Sequence, residues 1–327
     1  MTGNTLYVVV PCYNEAEALP GTSGVIADKL RALMRAGKVS EDSRALFVDD
    51  GSRDGTWALI CSLCEQSPIF TGIALSRNRG HQTALLAGLM AARGAADMTI
   101  SLDADLQDDV DAMDAMVDAF LGGCDIVYGA RSRRDSDAFL KRFTAVSYYR
   151  LLRALGCEVV FNHADYRLMS ARALDALAQY GESDLFLRGI APMLGFKTAT
   201  VEYARAERSA GESKYTLKKM LKLASDGVLS LSLAPVRLVM GAGLVMLAAA
   251  LVLLVIALAG GDARRWRLVA ASVWGAGGIV TLALGVVGEY AGRAYLEAKR
   301  RPRYIIADTA GLSVRDTEAR RDADETR

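Results

Sequence analysis

Apolar and polar positions alternate along the first 131 residues with two periods. Short apolar runs at Leu6–Pro11, Ala45–Asp49, Gly72–Leu75, Met98–Leu102 and Asp125–Tyr128 read as strands. Between them, Glu15–Ala36, Gly55–Glu65, Gln82–Ala92 and Val110–Leu121 carry helical spacing. Apolar strands separated by helices predict an α/β fold with a mostly parallel sheet covered on both faces. Residues 137–235 are mixed. Ala138–Leu155 and Ala171–Tyr180 look helical, Lys197–Tyr203 looks like a strand, and Glu207–Lys214 is a polar loop. Lys214–Leu233 sets Lys218, Lys219 and Lys222 against Leu217, Met220, Leu221, Leu223, Val228 and Leu231. That is the pattern of an amphipathic helix lying on an anionic membrane surface. Leu238–Ala259 and Leu268–Gly288 then run without a charge. A membrane span needs roughly 20 apolar residues, so the two runs predict a transmembrane hairpin turning through Gly260–Arg267.

Composition agrees with an uneven chain. The 327 residues are 52% hydrophobic and 24% charged, with Lys+Arg 39 against Asp+Glu 38. A mean hydropathy of +0.18 is high for that much charge, and the two uncharged runs account for it. A net charge of +1 gives no global attraction to nucleic acid, which is excluded as a partner. Met1–Asn4 leads into the first strand without a basic region or cleavage site. The expectation is a multi-pass protein of the cytoplasmic (inner) membrane, with the catalytic domain and C-terminal tail cytoplasmic. Lys and Arg flank both expected spans on that side, although the three arginines of the outer loop oppose the rule. Five cysteines form no framework, and Cys61-x-x-Cys64 inside a helical pattern reads as a pair of ordinary buried thiols. With only His81 and His163, a Cys/His zinc site is improbable.

Ligands of such sheets bind beyond the C-terminal ends of the strands. The first strand ends in Pro11-Cys12-Tyr13-Asn14-Glu15, with neither a Rossmann glycine fingerprint nor a P-loop in the chain. The second ends in Asp49-Asp50-Gly51-Ser52, where a carboxylate can accept hydrogen bonds from a base or a ribose. The fourth ends in Asp103-Ala104-Asp105-Leu106-Gln107. Carboxylates at i and i+2 of an extended chain point the same way. Holding them together is costly unless a cation lies between them. Mg²⁺ or Mn²⁺ carrying a diphosphate suits this arrangement, because such ions take few protein carboxylates and share substrate oxygens.

These motifs resemble family 2 glycosyltransferases of the GT-A fold, through Val10-Pro11-x-Tyr13-Asn14-Glu15, Val48-Asp49-Asp50-Gly51-Ser52, Ser76-Arg77-Asn78-x-Gly80-His81-Gln82 and Asp103-Ala104-Asp105. Tyr128-Gly129-x-Arg131, Ala164-Asp165-Tyr166-Arg167-Leu168 and Arg208-x-x-Gly211-Glu212-Ser213-Lys214-Tyr215 are similar to the polyprenyl-phosphate members. Gly288-Glu289-Tyr290-x-Gly292-Arg293 and Arg301-Pro302-Arg303-Tyr304 resemble the bacterial ones. One departure is Asp108-Asp109-Val110-Asp111, where the family has Asp-Pro-Pro-Glu.

The resemblance implies residue roles. Pro11, Tyr13, Glu15 and Asp50 would hold the nucleotide. Asp103, Asp105 and Gln107 would bind Mg²⁺ or Mn²⁺, with Asp105, Asp165 and Arg131 catalytic. Arg131, Arg208, Ser213 and Lys214 would bind phosphate and acceptor. Asp165 is either a base or a positioning group. A phosphate monoester's second pKa is about 6, so the acceptor is already mostly dianionic at neutral pH. The implied organisation is a GT-A catalytic domain over 1–213 and an amphipathic helix over 214–235. The hairpin would cover 236–291, a cytoplasmic segment 292–307, and a disordered tail 308–327. The implied activity is inverting transfer of a hexose from a nucleotide sugar to a polyprenyl (undecaprenyl) phosphate. UDP-glucose is the first donor choice and GDP-mannose the second, and the membrane and further copies of the chain (a tetramer in similar enzymes) are the other partners. A processive polysaccharide synthase would need more spans and a Gln-x-x-Arg-Trp motif, to which Asp262-Ala263-Arg264-Arg265-Trp266 is only a near miss. A non-enzymatic membrane adaptor would be expected to have lost one of Asp103, Asp105, Arg131 or Lys214.

Overall fold

The computed structural model describes residues 3–131, 163–181, 187–203, 265–299 and 301–311. The elements run β1 (Leu6–Cys12), α1 (Leu19–Arg35), β2 (Arg44–Asp49), α2 (Thr56–Gln66), β3 (Phe70–Leu75), α3 (His81–Ala92), β4 (Met98–Ser101) and α4 (Ala112–Leu121). They continue with β5 (Ile126–Arg131), β6 (His163–Ser170), α5 (Ala171–Ala178), α6 (Leu187–Met193), β7 (Thr198–Tyr203), α7 (Arg265–Ala298) and β8 (Ile306–Ala310). The described residues make two compact units, the sheet with its helices and residues 302–311, and the helix α7.

Eight strands form one sheet in the order β7-β5-β6-β4-β1-β2-β3-β8. Side chains alternate across each strand, and here both faces are covered. Leu6, Val8 and Val10 of β1 join Ala45 and Phe47 of β2 and the buried residues of α1 and α4 in one core. Tyr7 and Val9 join Leu46 and Val48 and the apolar residues of α3 and α5 in the other. This explains why β1 reads as a continuous apolar run rather than an alternating one. In α1, Leu19, Ile26, Leu30 and Leu33 recur at helical spacing and are buried. Pro20 stands in its first turn, where its missing N–H costs nothing.

The sheet is mixed, with parallel pairs in the majority, as expected. β1 pairs in parallel with β2 and β4, β2 with β3, and β5 with β7. The pairs β4–β6, β5–β6 and β3–β8 are antiparallel. Two strands escape the apolar pattern. β6 carries His163, Asp165 and Arg167, and β8 is the polar sequence Ile306–Ala310 with an exposed middle. β8 runs into the stretch 308–327 expected to be a disordered tail.

The transmembrane hairpin is not supported. Among the described residues no helix is long and apolar enough to cross a membrane. The second expected span lies inside α7; the first, 238–259, and the amphipathic stretch 214–235 lie outside the described residues. The helix that holds the second run is not confined to it: α7 starts at Arg265 and continues through Arg293 and Glu297. The expected multi-pass membrane location rested on that hairpin and is likewise not supported among the described residues.

Candidate active site

β1 and β2 end side by side, with Cys12 opposite Asp49. The loops that follow them are stitched together. Asn14 adopts φ 55, its N–H donates to Ser52 Oγ at 3.0 Å, and its Oδ1 accepts from Arg53 N at 2.9 Å. Glu15 N donates to Thr56 Oγ1 at 3.0 Å, and Ala16 N to Asp54 Oδ2 at 3.2 Å. Asp50 is buried and accepts from the backbone N–H groups of Arg79 and Gly80 at 2.7 and 2.8 Å. Burial raises its carboxyl above the usual range even so. Gly51 has φ +66, and a Cβ there would lie 2.6 Å from Arg77 C and Asn78 N. Only glycine lets the β2 and β3 loops touch at this point.

Beyond these three strand ends opens a cavity of about 660 Å³ whose walls include Tyr13, Ser52, Arg53, Trp57, Arg77 and Asp308. Two aromatic rings, two guanidinium groups and carboxylates can hold a flat heterocycle with hydrogen-bonding edges. Of the four nucleotide residues expected from sequence, only Tyr13 lines this cavity. Asp50 stands behind it and fixes the 79–80 turn, Pro11 is buried in β1, and Glu15 is half-buried in the β1 loop.

The second part of the site lies past β4. Asp103 and Asp105 are both part-exposed at its end, and Asp105 Oδ1 accepts from Gln107 N at 3.2 Å. Gln107 and Asp108 are buried. Tyr203 donates to Asp108 Oδ1 at 2.6 Å and Tyr166 to the Asp109 carbonyl at 3.0 Å, which pins the acidic loop to β6 and β7. Burial raises the Asp103 carboxyl. The His81 charge lowers it, and Asp165, Asp108 and Asp105 raise it again. A site that crowds carboxylates in this way favours a cation.

Facing Asp103 is a cluster that sequence reasoning did not assemble. Asp165 is buried on β6. Arg188 of α6 grips it with two bonds, Nε to Oδ1 and Nη2 to Oδ2, both 2.9 Å. Arg167 Nη2 reaches Asp165 Oδ1 at 3.3 Å, and His81 Nε2 stands 3.4 Å from Asp165 Oδ2 and 3.5 Å from Asp103 Oδ1. Burial pushes the Asp165 carboxyl up, but the hydrogen bonds of His81 and Arg188 and the charges of both arginines hold it well below the usual carboxylate range. Burial lowers the His81 imidazolium, yet Asp165 and Asp103 bring it above its ordinary value. Arg167 also donates Nη1 to the Leu187 carbonyl at 2.8 Å, and Leu187 N donates to Gln82 Oε1 at 3.1 Å. Together these bonds anchor the start of α6, and with it Arg188. His81 was visible in the motif ending Gly80-His81-Gln82; Arg188 lies on a short helix with no motif around it.

Arg131 ends β5 opposite Tyr203, and its side chain lies outside the described residues, as do Arg208, Ser213 and Lys214. Among the described residues no group of three or more His, Cys, Asp or Glu side chains is arranged to hold a metal ion. A metal here would take Asp103 and Asp105 and complete its shell with other oxygens, the pattern expected of Mg²⁺ sharing a substrate phosphate.

A mixed, three-layer α/β unit with its ligand groups at the ends of β1, β2, β3 and β4 is a GT-A-like catalytic fold. The chain belongs to Glycosyl transferase family 2, whose sequence model matches residues 7–178. It is 45% identical to the uncharacterized glycosyltransferase YkoT of Bacillus subtilis (strain 168), over 92% of this chain and 90% of that one. It is 35% identical to the prophage bactoprenol glucosyl transferase homolog of Escherichia coli (strain K12), over 91% of this chain and 97% of that one. A crystal structure of glucosyl-3-phosphoglycerate synthase from Mycobacterium tuberculosis with Mn²⁺, UDP-glucose and phosphoglyceric acid aligns at TM-score 0.45. That alignment has 18% identity over 70% of this chain and 79% of that one, a distance at which no residue roles transfer. Family membership makes the protein a sugar-transferring enzyme that uses nucleotide sugars.

Proposed function

We propose that the enzyme transfers glucose from UDP-glucose to a polyprenyl phosphate, with inversion at the anomeric carbon, using Mg²⁺ or Mn²⁺. The observation that carries the reaction type is the part-exposed pair Asp103 and Asp105 past β4, with His81 linking Asp103 to the Asp165–Arg188 cluster. The choice of sugar and acceptor is supported by relatives 35% identical over 91% of this chain that are bactoprenol glucosyl transferases of Shigella phages.

An acceptor phosphate oxygen attacks the anomeric carbon, and the bond to the departing nucleoside diphosphate breaks. When bound, the metal neutralises charge on that leaving group. Asp103 and Asp105 would hold the metal, and the cavity beyond β1–β3 would hold the nucleoside. Asp165 has no proton to take. Its acceptor is already dianionic at neutral pH, and its own oxygens are engaged by Arg188, Arg167 and His81. It acts as a positioning group for those cations. Arg131, Arg208, Ser213 and Lys214 would meet the acceptor phosphate, a role suited to forked and point-charge donors.

The test is a screen of radiolabelled UDP-glucose and GDP-mannose with undecaprenyl phosphate, scored by counts entering the organic phase. UDP-glucose should label the lipid in wild type, and Asp105→Asn should abolish labelling without lowering the melting temperature. Labelling by GDP-mannose alone would replace the donor. Transfer by Asp105→Asn at the wild-type rate in chelator would overturn the metal site.

A further inference from the structure

Two of the residues lining the β1–β3 cavity, Ala307 and Asp308, lie far outside residues 7–178. They belong to β8, the edge strand formed by the C-terminal segment. The pairing of β8 with β3 runs Gly72↔Ala310, Ile73↔Thr309, Ala74↔Asp308 and then Leu75↔Ile306. The register shift leaves Ala307 without an opposite residue, so β8 carries a one-residue bulge at this point. Bulges bend a strand and re-aim its side chains, and they occur often beside binding sites. Here the bulged residue and its neighbour are the two that meet the cavity.

The segment is fastened at both ends of the bulge. Ser76 N donates to the Ile305 carbonyl at 2.9 Å, and Thr71 Oγ1 to the Ala310 carbonyl at 3.1 Å. Arg79 donates Nε to the Arg303 carbonyl at 2.6 Å and Nη2 to the Pro302 carbonyl at 3.2 Å. The same residue's backbone N–H is the one bound by Asp50. Arg79 therefore joins the β2 loop, the β3 loop and the C-terminal segment into one wall. Such fastening exceeds what an edge strand needs to be covered, and it fixes the position of residues 307 and 308 relative to Tyr13 and Trp57.

The chemistry of the cavity selects a part of the donor. Arg53 and Arg77 balance Asp49 and Asp308 in its lining, which leaves no net pull on a diphosphate, and neither Asp103 nor Asp105, the pair proposed to hold the metal, lines it. Tyr13 and Trp57 offer ring faces for stacking. We propose that β8 forms part of the base-recognition site, with Ala307 as a floor for the ring and the Asp308 carboxylate accepting a hydrogen bond from a ring N–H. Uracil (N3–H) and guanine (N1–H) present that donor; cytosine and adenine present an acceptor at the corresponding ring nitrogen and are rejected. The inference rests on the nucleotide-sugar reading above.

Isothermal titration of the full-length protein with UDP, GDP, CDP and ADP in Mn²⁺ tests it. Wild type should bind UDP or GDP and reject CDP and ADP. Asp308→Ala should weaken that binding about tenfold or more, the loss expected for a hydrogen bond to a charged group, and should narrow the gap to CDP. Ala307→Trp should block binding by filling the cavity. Asp308 sits on an exposed strand, so the fold should survive its replacement. If Asp308→Ala lowers the melting temperature, Asp308→Leu keeps the approximate shape without an acceptor and supplies the same comparison. Equal UDP affinity in wild type and all variants would overturn the β8 proposal and leave the transferase reading intact. Failure of wild type to bind any of the four nucleotides would overturn the transferase reading itself.

Discussion

At the scale of single residues, the Asp165 cluster is where structure and sequence diverge most. A strand carboxylate beside Tyr166-Arg167 could be a base or a positioning group on sequence alone, and its buried engagement with Arg188, Arg167 and His81 is the ground for proposing the second. Removing one partner from a buried ion network leaves the others uncompensated, at about 3–5 kcal/mol. Asp165→Asn should therefore destabilise the protein by about 3 kcal/mol at neutral pH. The pH dependence has a definite sign. The Asp165 carboxyl is held well below its unfolded value of about 3.9. Its contribution is fully present above that pH and is lost as pH falls through the folded value. His81 is raised, so its contribution is full below about 6.5 and lost as pH rises through its folded value. Denaturant unfolding of wild type and Asp165→Asn from pH 3 to 8 should show their gap widest at mildly acidic pH and shrinking below pH 4. A gap that keeps its full size down to pH 3 would mean that Asp165 is not stabilised as a carboxylate. The candidate site was legible to the extent that its residues follow strands in sequence, as Asp103 and Asp105 do. Arg188 was not, because its partner lies 23 positions away and only the packing of α6 on β6 brings the two together.

At the scale of elements, the hydrophobic pattern located β1 to β5 because each of these strands is buried and apolar enough to stand out from the helices around it. It missed β6 and β8 for opposite physical reasons. β6 is buried but polar, since Asp165 and Arg167 satisfy each other there. β8 lies on an edge, where one side needs no apolar partner. The antiparallel pairs within the mostly parallel sheet have the same cause, because these two strands make the joints at β4, β5 and β3. The helix that places His81 depends on one close approach. A Cβ on Gly88 would lie 2.3 Å from Val9 Cγ1 and 2.7 Å from Val48 Cγ2, both in the fully buried centre of the sheet. Forcing a methyl group into a packed core costs about 1–3 kcal/mol. Gly88→Ala should lower the unfolding free energy by that amount. It should also lift α3 away from β1 and β2, and with α3 the His81 imidazole. Denaturant titration checks the first effect and sugar-transfer rate the second. An unchanged unfolding midpoint would mean that α3 can retreat from the sheet without cost.

At the scale of the whole molecule, the sheet is closed at one edge by a strand from the far end of the chain. Thr71 and Ala310 are hydrogen-bonded across 239 positions of sequence. Contacts of such long separation form late, because the loop they close is long. Until β8 arrives, β3 presents a row of unpaired backbone groups next to the β1–β3 cavity, and an open edge of this kind pairs readily with other chains. Two truncations separate the role of β8 from that of the residues after it. A chain ending at residue 311 keeps β8 with the bonds from Thr71, Ser76 and Arg79, and should match the full chain in elution volume and in stabilisation by UDP. A chain ending at residue 301 loses the strand, the Arg79 anchor and two cavity residues together. It should elute partly as higher-mass material, melt at lower temperature and show no thermal shift with UDP. Arg79→Ala in the full chain removes only the side-chain anchor, so it should fall between the two, with the strand kept and UDP affinity reduced. Size-exclusion chromatography and thermal shift with and without UDP provide the readouts. Wild-type behaviour of the 301-residue chain would show that the edge of β3 is protected by its own sequence and that the cavity is complete without β8. The intermediate behaviour of Arg79→Ala is the more telling result. It would tie the Asp50 loop and the C-terminal strand, which no local sequence pattern connects, into one wall of the donor site.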